Sequence, residues 1–353
     1  RERYQAFWEC SCIDRPLLFV TAPQADAPRH PDDDLPADRS QLNDWYMNPA
    51  RVLPRLKRWM QQSYHAGEAL PIMFPMAPNM AAIQAAFMGG RYSISPDNGS
   101  GWCDRVIDDM DAWTKAAAVD PDNLWWKQTR ALLSEARTLA SDGIIIGHPD
   151  TQGGGQVLAL LRGTEELILD LVDQPDSAKA AMAKIDETWL EYWSTMDAII
   201  GEYQSGSADW LAVYCDKMMV CPECDMSCMI SKAMFDEFFL PSIRFQCEQA
   251  DYSIYHLDGP GALQHVESLL ELSSLDGIQW VPGAGAKPVI EWIPLLQKIQ
   301  SAGKLLHLSC PKEHVVRLAS SIRPEGVYIR TSCDTADEAE ELVASVGRIF
   351  GGK

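Results

Sequence analysis

The chain has 353 residues, enough for a large core, and its 46% hydrophobic and 23% charged content is typical of globular proteins. A formal net charge of −20 argues against nucleic-acid binding, since phosphate recognition needs a basic surface, and it also disfavours anionic membranes. No run of about 18 apolar residues is present to span a bilayer, and the opening RERYQAFWEC lacks the apolar segment of a secretion signal.

Strands and helices alternate irregularly in the N-terminal part. Pro16–Thr21 (PLLFVT) and Gly143–Gly147 (GIIIG) are short apolar runs, typical of buried strands, and the second leads into the glycine-rich loop HPDTQGGG. The stretch Asn98–Asp104 (NGSGWCD) has the composition of a surface loop. Apolar residues at helical spacing predict helices over Arg51–Tyr64, Asn123–Ser141, Thr164–Asp170 and Pro175–Ile200.

The C-terminal half alternates regularly between strand and helix. Predicted strands cover Trp210–Tyr214, Ser253–Leu257, Gly277–Val281, Leu305–Leu308 and Gly326–Arg330. Predicted helices follow them over Ser231–Ala250, Gly261–Leu270, Val289–Ala302, His314–Ser321 and Asp337–Ile349. Repeated β-then-α units predict parallel strands covered by helices. We therefore predict an α/β protein folded as a (β/α)8 TIM-type barrel.

No compositional break divides the chain. Residues 1–353 are accordingly predicted to form one barrel domain, in which residues 1–150 supply N-terminal helices, loops and the first strands. An open doubly wound sheet is the alternative architecture. Its dinucleotide-binding version is weakened because no G-x-G-x-x-G follows the first predicted strand.

Reactive side chains follow several predicted strands, where a parallel barrel places its active site. His256 and Asp258 end one strand, and residues two apart on a strand face the same side. His148 and Asp150 follow GIIIG, and Cys333 follows the last strand. Imidazole, carboxylate and thiolate together allow a three-ligand zinc site with an open fourth position. Each also has a structural interpretation, because such a His or Asp often hydrogen-bonds loop backbone and a lone Cys is often an inert buried thiol.

Four further cysteines, Cys215, Cys221, Cys224 and Cys228, share the stretch YCDKMMVCPECDMSC, which contains a single C-x-x-C. A structural zinc site requires a second such pair or two histidines, and the spacing of these four cysteines differs from that of iron–sulfur motifs. We predict that these four do not jointly bind metal. Ten Cys without a secretion signal predict free thiols in a reducing cytoplasm, and with 14 Met they suit anaerobic metabolism.

Several ordered segments together resemble the uroporphyrinogen decarboxylase-like superfamily, and within it the corrinoid-linked methyltransferase branches. The segments are CIDRPLLF (Cys12–Phe19), HPDTQGGGQVLALLRG (His148–Gly163), CDMSCMISKAMFDEFFLP (Cys224–Pro241), YHLDGPG…GIQWVPGAG and GVYIRTSCDTADEAEELV (Gly326–Val343). Porphyrinogen decarboxylases of this superfamily grip substrate carboxylates with two N-terminal arginines. Here only Arg15 stands in that place, which argues against a porphyrinogen substrate.

The resemblance also implies a metal site. The related zinc methyltransferases have His-x-Cys at a strand end and a second Cys near the C terminus. His256 matches the His, Asp258 occupies the first Cys position and Cys333 falls near the second, which implies a zinc site of these three residues. A zinc ion with fewer thiolate ligands is a stronger Lewis acid, suited to activating a substrate's oxygen, nitrogen or sulfur.

The resemblance implies a methyltransferase that moves a methyl group between a small methylated substrate, or a thiol, and a corrinoid carried on a partner protein. Asp150, Asp225 and His256 are the predicted catalytic residues. Substrate contacts are assigned to Arg15, to His148 and to the aromatic residues Trp210, Tyr214 and Trp280; for Trp210 and Trp280, core packing is the alternative role. A homodimer is compatible with this interpretation.

Two other classes of function stay open at this point. One is a metal-free decarboxylase or lyase of a small carboxylated substrate that uses Asp225 and His256 as acid and base. The other is a non-catalytic barrel that binds a corrinoid or a small ligand.

Overall fold

The computed structural model describes residues 1–24, 30–75, 80–97 and 99–351. Its strands, numbered in chain order, are β1 Leu17–Pro23, β2 Ser63–Gly67, β3 Ile72–Met73, β4 Arg91–Ile94, β5 Gly101–Asp104, β6 Ile145–Ile146, β7 Ser207–Ala208, β8 Tyr214–Cys215, β9 Met219–Val220, β10 Tyr252–Asp258, β11 Gly277–Val281, β12 Leu305–Ser309 and β13 Val327–Ser332.

The α-helices are α1 Glu2–Trp8, α2 Leu42–Met47, α3 Pro49–Gln61, α4 Met80–Phe87, α5 Met110–Ala116, α6 Leu124–Glu135, α7 Arg137–Ala140, α8 Gly154–Arg162, α9 Thr164–Asp173, α10 Pro175–Gly201, α11 Lys232–Met234, α12 Leu240–Gln249, α13 Val266–Glu271, α14 Ile293–Ser301, α15 Lys312–Ser321 and α16 Ala336–Phe350. A π-helical turn, Phe235–Phe239, joins α11 to α12. In the described part of the chain, no helix has the length and apolar content needed to cross a bilayer.

Parallel strands form the wall of a (β/α)8 barrel. Strands β9, β10, β11, β12, β13 and β1 pair in this order, all in parallel, and β3 pairs in parallel with β6. The His148 amide, just after β6, donates to the Ala208 carbonyl of β7. Antiparallel β2 lies beside β1, and β4 and β5 form a separate hairpin. The predicted fold class is confirmed.

Side chains alternate between the inside of the barrel and the layer under the helices. Leu17, Phe19, Ile254, Leu305 and Tyr328 belong to one buried cluster, inside the barrel. The intervening residues on the same strands, such as Leu18, Tyr255, Leu306 and Ile329, pack in the larger cluster beneath the helices. This period of two is what a pleated strand imposes, and it decides which residues face the barrel interior.

The glycine-rich segment was predicted as a loop, but α8 begins within it at Gly154. A Cβ at Gly154 would lie 2.4 Å from the Met182 carbonyl oxygen of α10, and one at Gly155 would lie 2.2 Å from the Phe239 ring. Only glycine, which has no Cβ, lets the α8 backbone come this close, so the GGG motif allows α8 to pack directly against α10 and the π-helical turn.

Other predicted elements differ in detail. The helix predicted over Arg51–Tyr64 ends early, because Ser63 and Tyr64 begin β2. The loop predicted over Asn98–Asp104 was wrong, since Gly101–Asp104 forms β5. Asn98 itself lies outside the described residues. In the strand predicted over Trp210–Tyr214, Trp210 and Leu211 form a turn, Ala212 and Val213 are irregular, and β8 starts at Tyr214. Periodicity cannot place such two-residue strands, because they present too few residues to alternate.

Candidate active site at the C-terminal strand ends

Strand register places four inward polar side chains at one level of the wall, which on β10 lies near the C-terminal end of the strand, at the barrel mouth. His256 of β10 is level with Gln279 of β11, which is level with His307 of β12 and then Tyr328 of β13. His256 is also bridged to Glu223, just after β9. The alternation of side chains therefore lines one side of the barrel interior with a row of hydrogen-bonding groups.

His256 is held in a defined orientation. Its Nδ1 atom lies 2.5 Å from Oε1 of Gln279, and its ring meets the indole of Trp210 edge-on with centroids 5.1 Å apart. Because an amide oxygen only accepts hydrogen bonds, Nδ1 carries the proton and the lone pair resides on Nε2. Nε2 is thereby available to a metal ion or to a substrate proton.

Two carboxylates complete a group of potential metal ligands with His256. Among the described residues, Glu223, Asp225 and His256 each offer one ligand atom, and these atoms all lie within 4.8 Å of one another. Glutamines from the segment after β6 fix both acids. Gln156 donates to Oδ2 of Asp225 at 2.7 Å and accepts from its backbone amide at 2.9 Å, while the Gln152 side chain accepts from the Glu223 amide.

Asp150 lies beside this group. The Gln152 side-chain amide donates to its carboxylate. Burial raises the pKa of Asp150 to about 7, with a smaller upward contribution from the charge of Asp225, while Gln152 and Trp210 act in the opposite direction. A carboxyl that titrates near neutral pH can both donate and accept a proton at physiological pH, which is the property of a general acid or base.

Further acids share this environment. Burial raises the pKa of Asp209 to about 8, and the charge of Asp150 adds to that effect. Burial, with the neighbouring charges of Asp150, Asp225 and Asp258, also raises the pKa of half-buried Glu223 well above its usual range. Asp150, Asp209 and Trp210 line a small cleft of about 20 Å³. Oδ2 of Asp209 has no hydrogen-bond partner within the described protein.

The predicted zinc set is not assembled as expected. Asp258 is inward on β10, but the group of described residues with ligand atoms within 4.8 Å contains neither Asp258 nor Cys333. Cys333 is 4% exposed and packs in the cluster beneath the helices, where its amide donates to the Thr21 carbonyl. Ser332 faces the barrel interior. Cys333 is the next residue, so the alternation of side chains turns it towards the helices.

Two predicted substrate contacts lie away from the barrel mouth. Arg15 precedes β1 at the N-terminal end of the strands and makes a two-pronged ion pair with Glu68 at 2.7 and 2.8 Å. The Tyr214 ring contacts Tyr4 of α1, and the Tyr214 carbonyl accepts from the Trp8 indole. Both residues therefore attach α1 and its flanking segment to the opposite end of the barrel.

Two more predicted contacts face the helices. Trp280 is level with outward Leu257 and Leu308, is 1% exposed and packs against Trp292 of the helical layer. The ring of His148 stacks on Trp193 of α10, and its Nε2 lies 3.2 Å from Asp197. Of the residues assigned to chemistry or substrate, the barrel mouth brings together Asp150, Asp225, His256 and Trp210.

Several mouth residues were not anticipated from the sequence. Glu223 lies two residues before Asp225 in CPECD, a spacing that places both on one side of an extended segment, and this signal was available. Gln279 and Arg330 became apparent only from strand register, because neither residue type marks chemistry by itself. The four-cysteine stretch is dispersed: Cys215 and Cys221 lie in the inner cluster, Cys224 beneath the helices, and Cys228 is exposed.

Comparison with known proteins gives agreement in fold. No family model and no curated protein matches the chain. A solved methyltransferase from Methanosarcina mazei aligns with 99% of this chain and 98% of its own, with a TM-score of 0.62 and 12% identity. A B12-independent methionine synthase from a Shewanella species aligns with 96% of this chain and 98% of its own, with a TM-score of 0.48 and 10% identity. The chain therefore shares its overall fold with the Methanosarcina mazei methyltransferase over nearly the full length of both proteins.

Proposed function

We propose that the protein is a metal-assisted methyltransferase acting between a small methylated compound, or a thiol, and a corrinoid carried on a partner protein. The observation that carries the proposal is the group formed by Glu223, Asp225 and His256 at the mouth of the barrel. The fold shared with a methyltransferase and the sequence resemblance to the corrinoid-linked branches support the same reaction class. Fold alone does not fix function, so the proposal depends on the chemistry of this site.

The three residues fit a zinc ion. Ligands at roughly 2.0–2.2 Å from a tetrahedral zinc lie about 3.3–3.6 Å apart, so the three ligand atoms, which all lie within 4.8 Å of one another, need only small side-chain movements to share one ion. Neither carboxylate is ion-paired to a described Lys or Arg, and Nε2 of His256 bears a lone pair. Three protein ligands leave one position open for substrate, the pattern of catalytic zinc sites. When bound, zinc would polarise the substrate heteroatom that releases or accepts the methyl group.

The protein's own groups have distinct roles in this proposal. Gln279 and Gln156 orient His256 and Asp225. When a methyl group leaves an oxygen, nitrogen or sulfur atom, the corrinoid acceptor supplies the electron pair of the new bond to the methyl carbon, and the electron pair of the broken carbon–heteroatom bond stays on the heteroatom. Asp150 in its protonated form donates the proton that this atom then needs, since its pKa of about 7 matches the task. Trp210 excludes water beside His256.

A metal-free decarboxylase or lyase is the second candidate. It is favoured by the pKa of Asp150, which at about 7 lets this carboxyl act as an acid or a base without a metal. Asp150 and His256 would then act as the acid–base pair, and the carboxylates of Glu223 and Asp225 would hold a cationic part of the substrate. This reaction needs no corrinoid and no zinc. The two proposals therefore differ in what each requires for turnover.

The test is methylation of added cob(I)alamin by a panel of methylated amines, ethers and thioethers, using protein of measured zinc content. The methyltransferase proposal predicts zinc close to one per chain and turnover that is lost on chelation and restored by zinc. Protein without zinc that methylates nothing in the panel, but releases CO2 from a small acid, would contradict it in favour of the lyase.

A further inference from the structure

We propose that the substrate of this site carries an acid group, a carboxylate or sulfonate, which pairs with Arg330. The inference rests on the proposed function, because it assigns a second recognition point to the compound whose methyl group is transferred. Arg330 ends β13, and it was not among the residues that the sequence had marked.

Arg330 points into the barrel mouth. It is inward on β13 like Tyr328, two residues before it, and is level with Phe19 of β1 and Ser309 of β12. Its guanidinium lies 5.5 Å from the centroid of the Phe19 ring, which belongs to the inner cluster. The aromatic face supports the guanidinium from one side and leaves its N–H groups directed elsewhere. The residue is exposed, so an entering ligand can reach it.

The charges around Arg330 make its lack of a partner informative. Several arginines of this acidic chain form ion pairs, among them Arg15 with Glu68, Arg58 with Asp33 and Arg162 with Asp170, while others, such as Arg317, form none with a described residue. Arg330 makes no ion pair with any described residue, although acids are abundant at the same end of the barrel. A guanidinium fork is suited to two-pronged binding of a carboxylate or sulfonate. The acidic residues of the barrel mouth follow or end β6, β9 and β10, whereas the Arg330 guanidinium lies at β13.

His307 of β12 lies between Arg330 and the candidate metal group on the inward side of the wall. Burial lowers the pKa of His307, and the positive charge of Arg330 lowers it further. Strands β10 and β13 are three spacings apart, roughly 14 Å along the wall at about 4.8 Å per spacing and less across the mouth. A substrate that reaches both points therefore has several bonds between its methylated atom and its acid group.

The test uses methyl donors paired as acid and primary amide, which have nearly the same shape: N,N-dimethylglycine, 4-(dimethylamino)butyrate, 4-(methylthio)butyrate and 4-methoxybutyrate with their amides. Initial rates of cob(I)alamin methylation give kcat and KM for the wild type, Arg330→Gln and Arg330→Lys. Arg317→Gln, an exposed arginine of α15, is the control. Equilibrium binding of each donor is measured by calorimetry without corrinoid.

We expect the wild type and the control to favour a four-carbon acid over its amide by about 10- to 100-fold in kcat/KM, the usual strength of a hydrogen bond to a charged group. Arg330→Gln should reduce this preference to about one through KM, and Arg330→Lys should restore part of it. An acid preference that persists in Arg330→Gln, or no preference in the wild type, would overturn the inference.

A corrinoid also carries an anion, the phosphodiester of its nucleotide loop, so the assays are repeated with cobinamide, which lacks that group. A defect of Arg330→Gln that is confined to cobalamin, with acid and amide affected equally, would assign Arg330 to the acceptor and overturn the inference. If no donor is turned over, the proposed function fails. Calorimetry still decides the inference, since an acid preference abolished in Arg330→Gln supports it and equal binding of acid and amide contradicts it.

Discussion

The Nδ1 atom of His256 lies 2.5 Å from the amide oxygen of Gln279, its partner in register on the neighbouring strand. This contact joins the fold to the chemistry, because the same pairing that builds the barrel wall also selects the tautomer of the histidine. Metal-binding histidines commonly donate their second N–H to such a partner, which fixes the ring and increases its basicity. Gln279 is thus a positioning residue for the proposed metal group.

Gln279→Leu should weaken zinc binding by about 10- to 100-fold, the usual effect of removing a partner behind a metal ligand. Gln279→Glu should restore it, because a carboxylate also accepts from Nδ1. Competition with a chelating dye measures the zinc affinity, and Gln297→Leu on α14 is the control. Unchanged affinity in Gln279→Leu would show that the contact does not orient a ligand.

Asp186 provides a pH test away from the site. Its carboxylate accepts from the Gly154 amide and the Ser242 hydroxyl, and burial raises its pKa from 3.8 to about 6. The folded carboxyl thus stays protonated at a pH where the unfolded one has ionised. The free energy of unfolding should fall as the pH rises from about 4 to about 6, by up to about 3 kcal/mol from this group.

Urea unfolding of Asp186→Asn should show a smaller decrease over that window, since an amide keeps the acceptor oxygen and does not titrate. Asp173→Asn, an exposed change on α9, is the control. A decrease of the same size in Asp186→Asn and in the wild type would contradict the assignment.

Arg15 is predicted to act in stability alone. Its side chain is 9% exposed, and removing one member of a buried ion pair costs about 3 kcal/mol by leaving the other charge unpaired. Arg3 also lies 3.2 Å from Glu68, so the loss in Arg15→Gln should be nearer about 2 kcal/mol. Urea unfolding measures it, with kcat/KM measured on the folded variant. A folded Arg15→Gln with a raised KM would return Arg15 to the substrate site.

Substitution of Trp280 should affect mainly stability, whereas substitution of Trp210 should affect mainly activity. Trp280→Ala should lower the free energy of unfolding by about 3–5 kcal/mol, because it leaves a cavity beneath the helices. Its kcat/KM should be preserved below the unfolding temperature. Trp210→Ala, which removes the ring beside His256, should mainly reduce kcat/KM. The reverse pattern would mean that the inward and outward faces of β11 have been exchanged.

Sequence pattern was sufficient for the barrel and for part of the site. Alternating strands and helices from Tyr252 onward gave the parallel wall, and the ends of those strands led to His256. The two-residue strands β3, β6, β7 and β9 carry no usable periodicity, so the N-terminal wall could not be predicted in detail. Trp280 and Cys333 were misplaced for one physical reason. Both residues lie near a strand end, but position along a strand does not decide which way a side chain points. Successive side chains alternate, so every second residue faces the helices.

The proposed metal ligands show the same limit. Glu223 and Asp225 approach His256 because β9 runs beside β10, a pairing between segments about thirty residues apart that single-sequence patterns do not register. The family resemblance directed attention to Asp258 and Cys333 instead. The spacing in CPECD places the two acids of the candidate group close together, but only the strand pairing brings them to the imidazole of His256.

The most direct test of the proposed metal group is zinc content and cob(I)alamin methylation in two double variants. The first is Glu223→Gln with Asp225→Asn, and the second is Asp258→Asn with Cys333→Ser. Each protein is loaded with excess zinc, dialysed and analysed by mass spectrometry for metal, and circular dichroism checks that it is folded. We predict that the first variant retains almost no zinc and transfers no methyl groups, while the second retains about one zinc per chain and most of its activity. Zinc retained in the first variant and lost from the second would contradict the assignment of Glu223, Asp225 and His256 as the metal site.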